Sequence, residues 1–460
     1  MSEVLVLQSA NACIALITRA VDENEQRLIA RALRNTATFR HKLDRTILTK
    51  LVVENVSSTF KQTFLNNLKA MDTSEDTTVE SVSKKYILSV DYYLGYLILL
   101  FQHDSKEISI EFSTYLAQSI PKANKRELDL IAAKVYFYHY RNLELSSNKE
   151  FWINARGSLL AAHRTATLRQ DYESQAVLIN LLLRNYLSTN HYDLADKLVS
   201  KTQFPEQAAN NQLARYNYYL GRIKAIQLDY TSSNKYLLQA MRKALVTKAT
   251  SGFQQAVNKV AIIVQLLMGE IPERNVFRQP MLKNSLVPYL KITSAVRVGD
   301  LHLFQEALGK FTSEFQRDKT FTLILRLRHN VIKAGIRMLS LSYSRISLRD
   351  TCLKLQLDSE EDAEYVVGKA IRDGVVDAVI NHEKGYMKSK ENVDIYSTNE
   401  PQNAFHQRIS FCLNLHNESV QAMRFPMNAH KKDLAVLNDL IEEEKKLVNE
   451  IANEEDDAEF

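Results

Sequence analysis

AEYVVGKAIRDGVVDAVIN, residues 363–381, joins a helix directly to a strand. Its first apolar residues recur at i, i+3, i+4, i+7 and i+8, which is the spacing of one buried helix face. Gly374 follows, and glycine tolerates the left-handed conformation that ends many helices. The residues VVDAVI, 375–380, then predict a short strand. The predicted buried residues of the helix are Ala363, Val366, Val367, Ala370 and Ile371.

The flanking residues extend this stretch into a larger motif. YSRIS, 343–347, alternates like a strand, and Ser347 and Ser359 are placed to cap two successive helices. HEKGYMKSKE, 382–391, predicts a polar turn, and VDIY, 393–396, predicts a returning strand. A strand, two helices and a hairpin together predict a winged helix, which is a variant of the helix-turn-helix.

The exposed face of the second helix disfavours the reading of DNA bases. A helix that enters a groove needs Lys and Arg facing the phosphates. Here the first turns carry Glu360, Glu361 and Glu364, with Lys369 and Arg372 further along. Lysines on the wing leave loose, non-specific RNA contact open as an alternative.

Protein contact is the other use of a winged helix, because a second strand can add to the open edge of its sheet. The strand 376–380, together with residues just before the first helix, is the candidate surface. The predicted contact residues are Tyr343, Ile346, Val376, Ala378, Val379 and Ile380.

The residues before the winged helix contain a loose internal repeat. Residues 184–201 and 222–240 can be laid over each other with Tyr192 on Tyr230, and residues 294–311 have the same form. An interval in the thirties with two helices per unit indicates a helical-repeat solenoid, in which each pair buries its apolar face on the next. The chain has 11 glycines and 7 prolines in 460 residues, which also favours a mainly α fold.

The last helix of the chain carries apolar residues that alternate by three and four, as in a heptad seam. This seam is too short for a stable coiled coil on its own, so it predicts packing into a bundle with other helices. The predicted bundle contacts are Leu434, Leu437, Leu440, Ile441, Leu447, Val448 and Ile451.

The cysteines and the hydropathy of the sequence predict the kind of cellular compartment in which the chain works. Cys13, Cys352 and Cys412 are an odd, widely spaced set, which predicts a reducing compartment without a disulfide framework. The first residues lack the basic and apolar regions of a signal peptide. The most apolar run, 92–101, is shorter than the roughly 20 residues that span a bilayer, so it predicts a buried helix and no membrane partner.

Sequence motifs that are typical of phosphate-binding, nucleophilic or zinc-binding sites are missing. Neither phosphate-binding glycine motif nor the GxSxG nucleophile motif occurs. HEKGY, 382–386, starts like a zinc-binding HExxH but has Tyr386 at the second histidine position. Cys352 lies on a buried helix face, where an inert thiol is expected. We therefore predict no catalytic, metal or cofactor site, although distant groups can converge in a fold.

Helical repeats that run directly into a winged helix resemble the PCI-domain family. Its members occur in the proteasome lid, the COP9 signalosome and the eukaryotic translation initiation factor 3 complex. Specific stretches are similar to members of the proteasome lid: FWINARGSLLAAHRTATLRQD (151–171), LRHNVIKAGIRMLSLSYSRISL (327–348), the winged-helix stretch 343–389, and FHQRISFCLNLHNESVQAMRFP (405–426). The resemblance runs from about residue 14 onward, and the longer N-terminal extension that is associated with the family is expected to be lacking from this chain.

The resemblance implies a domain organisation and a function. The expected parts are an N-terminal solenoid, 1–204, a PCI domain, 205–397, with its winged helix at 341–397, and C-terminal helices, 398–460. The expected function is that of a non-catalytic scaffold in the proteasome lid and so in ubiquitin-dependent degradation. A subunit of the signalosome or of the initiation factor is the alternative, and a winged-helix nucleic-acid-binding protein is the alternative from another class.

The resemblance also implies partners and a location. Other PCI subunits, lid deubiquitinase subunits and a small acidic lid subunit are the expected partners, with no specific nucleic acid, and the expected location is cytoplasm and nucleus. The basic segment 27–50 holds seven Lys or Arg against one acid, either as a solvated face or as a dock for the acidic subunit. The candidate dock residues are Arg27, Arg31, Arg34, Arg40, Lys42 and Arg45.

Overall fold

The computed structural model describes residues 2–68, 87–105, 109–123, 125–146, 149–245, 247–390, 394–424 and 429–456. Within these residues the regular structure is almost entirely helical, which confirms the predicted mainly α class. The helices are α1 (Ser2–Glu23), α2 (Gln26–Phe39), α3 (Arg45–Asn55), α4 (Ser58–Asn67), α5 (Leu88–Ser105), α6 (Ile110–Ala123), α7 (Asp129–Leu145), α8 (Lys149–Arg169), α9 (Tyr172–Ser188), α10 (Tyr192–Lys201), α11 (Asn210–Ile226), α12 (Tyr230–Lys243), α13 (Ser251–Met268), α14 (Arg274–Arg278), α15 (Val287–Val298), α16 (Leu301–Arg317), α17 (Phe321–Ser342), α18 (Leu348–Leu355), α19 (Glu360–Arg372), α20 (Glu400–Arg424) and α21 (Ala429–Asp456).

Tight turns between consecutive helices share one backbone conformation. Before α12, Leu228 has a φ of 74°, and the N–H of Asp229 donates to the carbonyl of Lys224 at 3.0 Å. This geometry ends one helix, and the side chain of Asp229 then caps the next by accepting from the N–H of Ser232. Other left-handed residues stand at the same place before α2, α9, α10, α16 and α17, namely Asn24, Gln170, Asn190, Gly299 and Lys319. The recurring turn confirms the predicted helix pairs.

The core of the N-terminal half is centred on α5, α7 and α9. The apolar run 92–101 lies in α5, which packs against α1, α3 and α7 and is buried on nearly every side. Tyr93, Leu94 and Leu97 are fully buried. Each of the two leucines stabilises the fold by about 1.5–3 kcal/mol relative to exposure. The prediction of a buried helix is confirmed.

One described helix, Val4–Glu23, is long and apolar enough to cross a membrane by length and composition alone. In the structure it packs on α2 and α5 through one face. The buried residues of that face include Ala10, Cys13 and Ile17, while Val4 and Leu5 are exposed. This one-sided burial is that of a core helix at the end of a stack.

A close backbone crossing joins the last helical repeat to α17 and α18. Gly299, in the turn between α15 and α16, has a φ of 78° and faces Gly335 of α17. A Cβ on Gly299 would lie 2.4 Å from the nitrogen of Gly335, and a Cβ on Gly335 would lie 2.7 Å from a methyl of Leu355. The two glycines therefore allow the turn, α17 and α18 to pack together.

The winged helix forms largely as its sequence predicts. The Oγ of Ser347 accepts from the N–H of Asp350 at 3.0 Å, and the Oγ of Ser359 accepts from the N–H of Asp362 at 3.1 Å. These caps start α18 and α19 at the predicted residues. On α19, Ala363, Val367 and Ala370 are buried, and Val366 and Ile371 are half-buried.

The returning strand of the wing lies earlier in the chain than the predicted strand 393–396. The strands are β1 (Arg345–Ser347), β2 (Ala378–Asn381) and β3 (Tyr386–Ser389), in the order β1–β3–β2. Within the segment expected to be strand, Ile395–Ser397 forms a short 3-10 turn, and Val393 lies outside the described residues. A left-handed Gly385 makes the hairpin tighter than expected, so four of the ten residues of the predicted polar turn form β3.

The chain divides into two compact units. The larger comprises residues 1–376 and 380–387, and the smaller comprises 377–379 and 388–460. Within the smaller unit the N–H of Lys390 donates to the carbonyl of Asp377 at 3.0 Å, and two long helices, α20 and α21, follow. The domain boundaries drawn from the sequence stay predictions.

The raised pKa of Asp129 predicts that the stability of the larger unit depends on pH. Burial, and then the charge of Asp171, raise the pKa of Asp129 to about 6, although Arg169 lies 3.4 Å away. The folded-state pKa exceeds the unfolded value, so this group favours the folded state at low pH and loses that contribution as pH rises from about 4 to 6. The loss is at most about 3 kcal/mol.

We expect Asp129→Asn, which is uncharged at every pH, to raise the unfolding temperature by a few degrees at about pH 7.5 and by about half as much at about pH 5. Scanning fluorimetry at the two pH values measures this. Asp193→Asn, at an exposed position in the first turn of α10, is the matched control. An equal effect of Asp129→Asn at both pH values would contradict the assignment.

Candidate functional site

The sheet of the winged helix has β3 in its centre and β2 at one edge. The predicted contact residues do not share one edge, because Ile346 lies in β1 and Ala378 to Ile380 lie in β2, and β3 separates these two edge strands. Three of the six side chains are also not available. Ile346, Val376 and Ala378 are buried within the chain itself. Alternate residues of a strand point to opposite faces, and these three point to the core. Contact there must use the backbone edge together with exposed side chains such as Val379, which is 55% exposed.

The remaining predicted edge residues have distinct surroundings. Ile380 is half-buried. Tyr343 is exposed, and its ring and hydroxyl contact the ammonium of Lys354. On the same wing, the guanidinium of Arg345 lies 3.7 Å from the centre of the ring of Tyr386. At exposed sites, each contact of a cation with an aromatic ring contributes about 0.5–1 kcal/mol.

The outer face of α19 is acidic, as the sequence indicates. Glu360 and Glu361 are exposed, and a carboxylate oxygen of Glu364 lies 2.9 Å from Nδ1 of His382 in the wing. Tyr365 is also exposed on this helix. A negative surface at the N-terminal turns of the second helix repels the phosphate backbone.

We expect the full chain to bind duplex DNA no more tightly than a generic basic protein does. Fluorescence anisotropy against a salt series measures this, with a shallow salt slope reflecting few phosphate contacts. Glu360→Lys with Glu361→Lys is the matched variant and should steepen the slope. Sequence-selective, submicromolar binding of the unmodified chain at physiological salt would contradict the reading of this helix as a protein-facing surface.

The C-terminal helix α21 leaves its apolar seam exposed. Leu437 and Ile441 are 53% and 46% exposed, and α20 likewise exposes Phe405, Ile409 and Phe411. Leu434, Leu440 and Leu447 are exposed as well, and the side chains of Val448 and Ile451 lie outside the described residues. Contiguous apolar surface of this kind marks a site where another polypeptide packs.

One predicted dock residue of the basic segment 27–50, Arg40, is paired within the chain. The guanidinium of Arg40 donates to both carboxylate oxygens of Asp104 at 2.8 and 2.6 Å and to the hydroxyl of Tyr138 at 2.8 Å. The hydrogen bonds from Arg40 hold the pKa of Asp104 below its usual range. Arg40 therefore forms an ion pair within the chain. Arg27, Arg31, Arg34 and Lys42 are exposed, and Arg45 is partly exposed at the start of α3.

Two cations that the sequence analysis missed lie beside Arg34. Lys134 of α7 and Arg215 of α11 line the same groove of about 500 Å³, and the guanidinium of Arg215 lies 5.2 Å from the ring of Phe137. Burial, and then the charge of Arg215, lower the pKa of Lys134. Glu173 is the acid among the residues that line this groove. No sequence signal unites these residues, because the fold brings three distant helices together.

Potential metal ligands and cysteine thiols are the other side chains to consider among the described residues. No group of three or more His, Cys, Asp or Glu is placed to hold a metal ion within them. Cys13 is buried, and burial raises the pKa of its thiol. The Sγ of Cys352 contacts the carbonyl oxygen of Leu357 at 3.1 Å. The surfaces described above are the candidate functional sites.

Family comparisons cover almost the whole chain. Residues 6–293 match the family of PSMD3-like N-terminal TPR repeats, and residues 308–391 match the PCI domain. Residues 394–458 match the family that describes the C-terminal part of a proteasome regulatory subunit.

Curated relatives are similar over nearly their full length. A protein of Schizosaccharomyces pombe named probable 26S proteasome regulatory subunit rpn3 is 48% identical over 93% of this chain and 87% of its own length. The probable 26S proteasome non-ATPase regulatory subunit 3 of Anopheles gambiae is 48% identical over 99% of this chain and 93% of its own. The 26S proteasome non-ATPase regulatory subunit 3 of Dictyostelium discoideum is 44% identical over 97% and 92%.

Proposed function

The chain belongs to the family of 26S proteasome non-ATPase regulatory subunit 3, and from this membership we propose that it works as a non-catalytic scaffold of the proteasome lid. It is a subunit of the regulatory particle and acts in lid assembly, and so in ubiquitin-dependent protein degradation. The observation that carries the scaffold role is the exposed seam of α21, to which the open sheet edge adds a second unfinished surface. Neither surface is complete without another polypeptide.

The proposed partners follow from the chemistry of each surface. Exposed leucines and isoleucine on α21 fit helices of sibling subunits in a bundle. The backbone edge of β2 fits a strand or sheet of a neighbouring PCI domain. Deubiquitinase subunits of the lid join through the same assembly, and the cytoplasm and nucleus are the proposed location.

Two regions together form the proposed dock for a small acidic subunit. Arg27, Arg31 and Lys42 present exposed cations on and after α2, and Arg34 connects them to the groove that holds Lys134 and Arg215. An acidic segment with an aromatic side chain fits this mixture of cations and aromatic rings.

Affinity purification of the tagged chain with mass spectrometry tests the proposal. We expect lid subunits in near-equal amounts, including a small acidic polypeptide. In the variant Lys134→Glu with Arg215→Glu we expect selective loss of that polypeptide, whereas Arg164→Glu, exposed on α8, should retain it. Recovery of the chain as a monomer, or with unrelated partners, would contradict lid membership.

A further inference from the structure

A lysine in the turn between α16 and α17 joins two parts of the larger unit that are far apart in sequence. The Nζ of Lys319 donates to the carbonyl of Ser188 at 2.9 Å and lies 3.4 Å from the carbonyl of Leu187. Lys319 and Ser188 are 131 positions apart. In a helical-repeat solenoid each repeat packs on its neighbours, as α9 does on α7, α8, α10 and α11. The contact of Lys319 therefore bypasses the helices from α10 to α16.

The acceptors of this contact are suited to a cation. Both carbonyls belong to the last turn of α9, which ends at Ser188. The last carbonyls of an α-helix have no partner within the helix, and they carry the partial negative charge of its C-terminal end. The ammonium of Lys319 supplies a donor there and is attracted by that charge. The contact is therefore a charge-assisted hydrogen bond at a helix terminus.

The end of α9 is held in place by α8. The Nε1 of the buried Trp152 donates to the Oγ of Ser188 at 3.0 Å. The Nε of Arg156 donates to the Oδ1 of Asn185 at 2.7 Å, and its Nη2 donates to the Oγ1 of Thr189 at 2.6 Å. Because these bonds lie on both sides of Ser188, the acceptor end of the contact moves only together with α8.

The two residues beside Lys319 are bound to other helices. The Oδ2 of Asp318 accepts from the Nζ of Lys259 in α13 at 2.7 Å and from the hydroxyl of Tyr289 in α15 at 2.9 Å. The Oγ1 of Thr320 lies 3.1 Å from the same hydroxyl, and Tyr289 and Thr320 are buried. The donor end of the contact is therefore fixed to α13 and α15.

The helix that follows the turn determines where α18 and α19 lie. α17 begins at Phe321, directly after the turn, and packs on both of these helices. The Nζ of Lys333 in α17 pairs with the Oδ2 of Asp373, at the end of α19, at 2.7 Å. Gly335 of α17 also approaches Leu355 of α18 closely. A rotation of α17 would therefore carry α18 and α19 with it.

The turn itself does not need a lysine at this position. Lys319 has a φ of 55°, a left-handed conformation that asparagine and glycine adopt more readily. The corresponding turns accept side chains of different length and charge, namely Asn24, Gln170, Asn190, Leu228 and Gly299. The reach to the end of α9 is therefore a property of the Lys319 side chain and not of the turn.

We propose that Lys319 is a positioning residue, which fixes the angle between the repeats that end at α9 and the last helices, α15–α19. The proposal goes beyond the scaffold function, because it concerns the internal geometry of the chain and needs no other subunit. Its consequence is that the cationic groove, which α7 and α11 line, and the helices α18 and α19 keep one relative orientation.

Distances between two spin labels in the isolated chain test the proposal. The label sites are Leu168→Cys in α8 and Arg328→Cys in α17, which are exposed positions on the two sides of the contact. The background carries Cys352→Ser and Cys412→Ser, whereas Cys13 is buried and is retained. Double electron–electron resonance then measures the distribution of distances between the labels.

Lys319→Asn removes the contact but keeps a residue that tolerates the conformation of the turn. We expect it to broaden the distance distribution at least about twofold, because neighbour contacts alone restrain a solenoid less. Its unfolding temperature should stay close to that of the unmodified chain. Lys319→Arg retains a cationic donor and should restore the narrow distribution. Lys283→Asn, in an exposed turn before α15, is the matched control and should leave it unchanged.

An unchanged distribution in Lys319→Asn would overturn the positioning role, as would equal broadening in Lys319→Arg or Lys283→Asn. Circular dichroism checks that Lys319→Asn folds. If it does not, Lys319→Met, which keeps the apolar stem and loses the ammonium, takes its place under the same criterion.

The measurement is independent of the proposed function. Incorporation into the lid by a chain whose distribution ignores Lys319→Asn would support the scaffold function and overturn the positioning role. A broadened distribution in a chain that never joins the lid would support the positioning role and overturn the scaffold function.

Discussion

Leu437→Glu together with Ile441→Glu should leave the chain folded and block its incorporation into the lid. Both side chains are about half-exposed in the chain alone, so the substitutions create no cavity in its own core. In a bundle, each glutamate would lose water without gaining a partner, and an uncompensated buried charge costs several kcal/mol. Two such charges predict a loss of association of at least about a hundredfold.

Native gel electrophoresis of lid complexes measures this effect, with circular dichroism as the check on folding. The matched control is Ala435→Glu with Lys446→Gln, which changes the net charge of the same helix equally but lies away from the seam. The control should incorporate normally. Normal incorporation of the seam variant would show that α21 is not buried by partners.

Gly299→Ala should strongly destabilise the larger unit. A methyl there would press on the backbone of Gly335, which cannot move aside without displacing α17. The left-handed φ of 78° adds strain of about 1 kcal/mol for alanine. Together, overpacking and strain predict a loss of about 3–4 kcal/mol in the free energy of unfolding.

Substitutions at two other glycines distinguish the effect of overpacking from that of backbone strain. Gly269 has a φ of 90° with open space around it, so Gly269→Ala should cost only the strain, about 1 kcal/mol. Gly157 lies in α8 with open space, so Gly157→Ala should stabilise the chain by about 0.5–1 kcal/mol. Denaturant unfolding measures the free energy of unfolding of the three variants. Equal losses for Gly299→Ala and Gly269→Ala would contradict the backbone crossing.

Local features of the fold could be predicted from the sequence. The capping serines Ser347 and Ser359 and the apolar spacing of α19 are contained within a few residues, and the structure confirms each. The wing strand was misplaced because β3 has four residues, with a buried Met387 among polar neighbours. So short an alternation cannot be told from a polar turn.

Features that depend on distant residues could not be predicted. The pairing of Arg40 with Asp104 joins α5 to the turn after α2, so one arginine of the basic segment forms an ion pair within the chain. The burial of Ile346 and Ala378 depends on which face of each short strand points away from solvent. The shared groove of Lys134 and Arg215 could be recognised only once helices far apart in sequence lay side by side.

Hydrogen–deuterium exchange of α21 in the free chain and in the assembled lid tests the central claim most directly, namely that this surface is completed by sibling subunits. We predict rapid exchange from Leu434 to Leu447 in the free chain and strong protection in the lid, because an exposed helix opens far more readily than a bundled one. Equal protection in both states would contradict the claim.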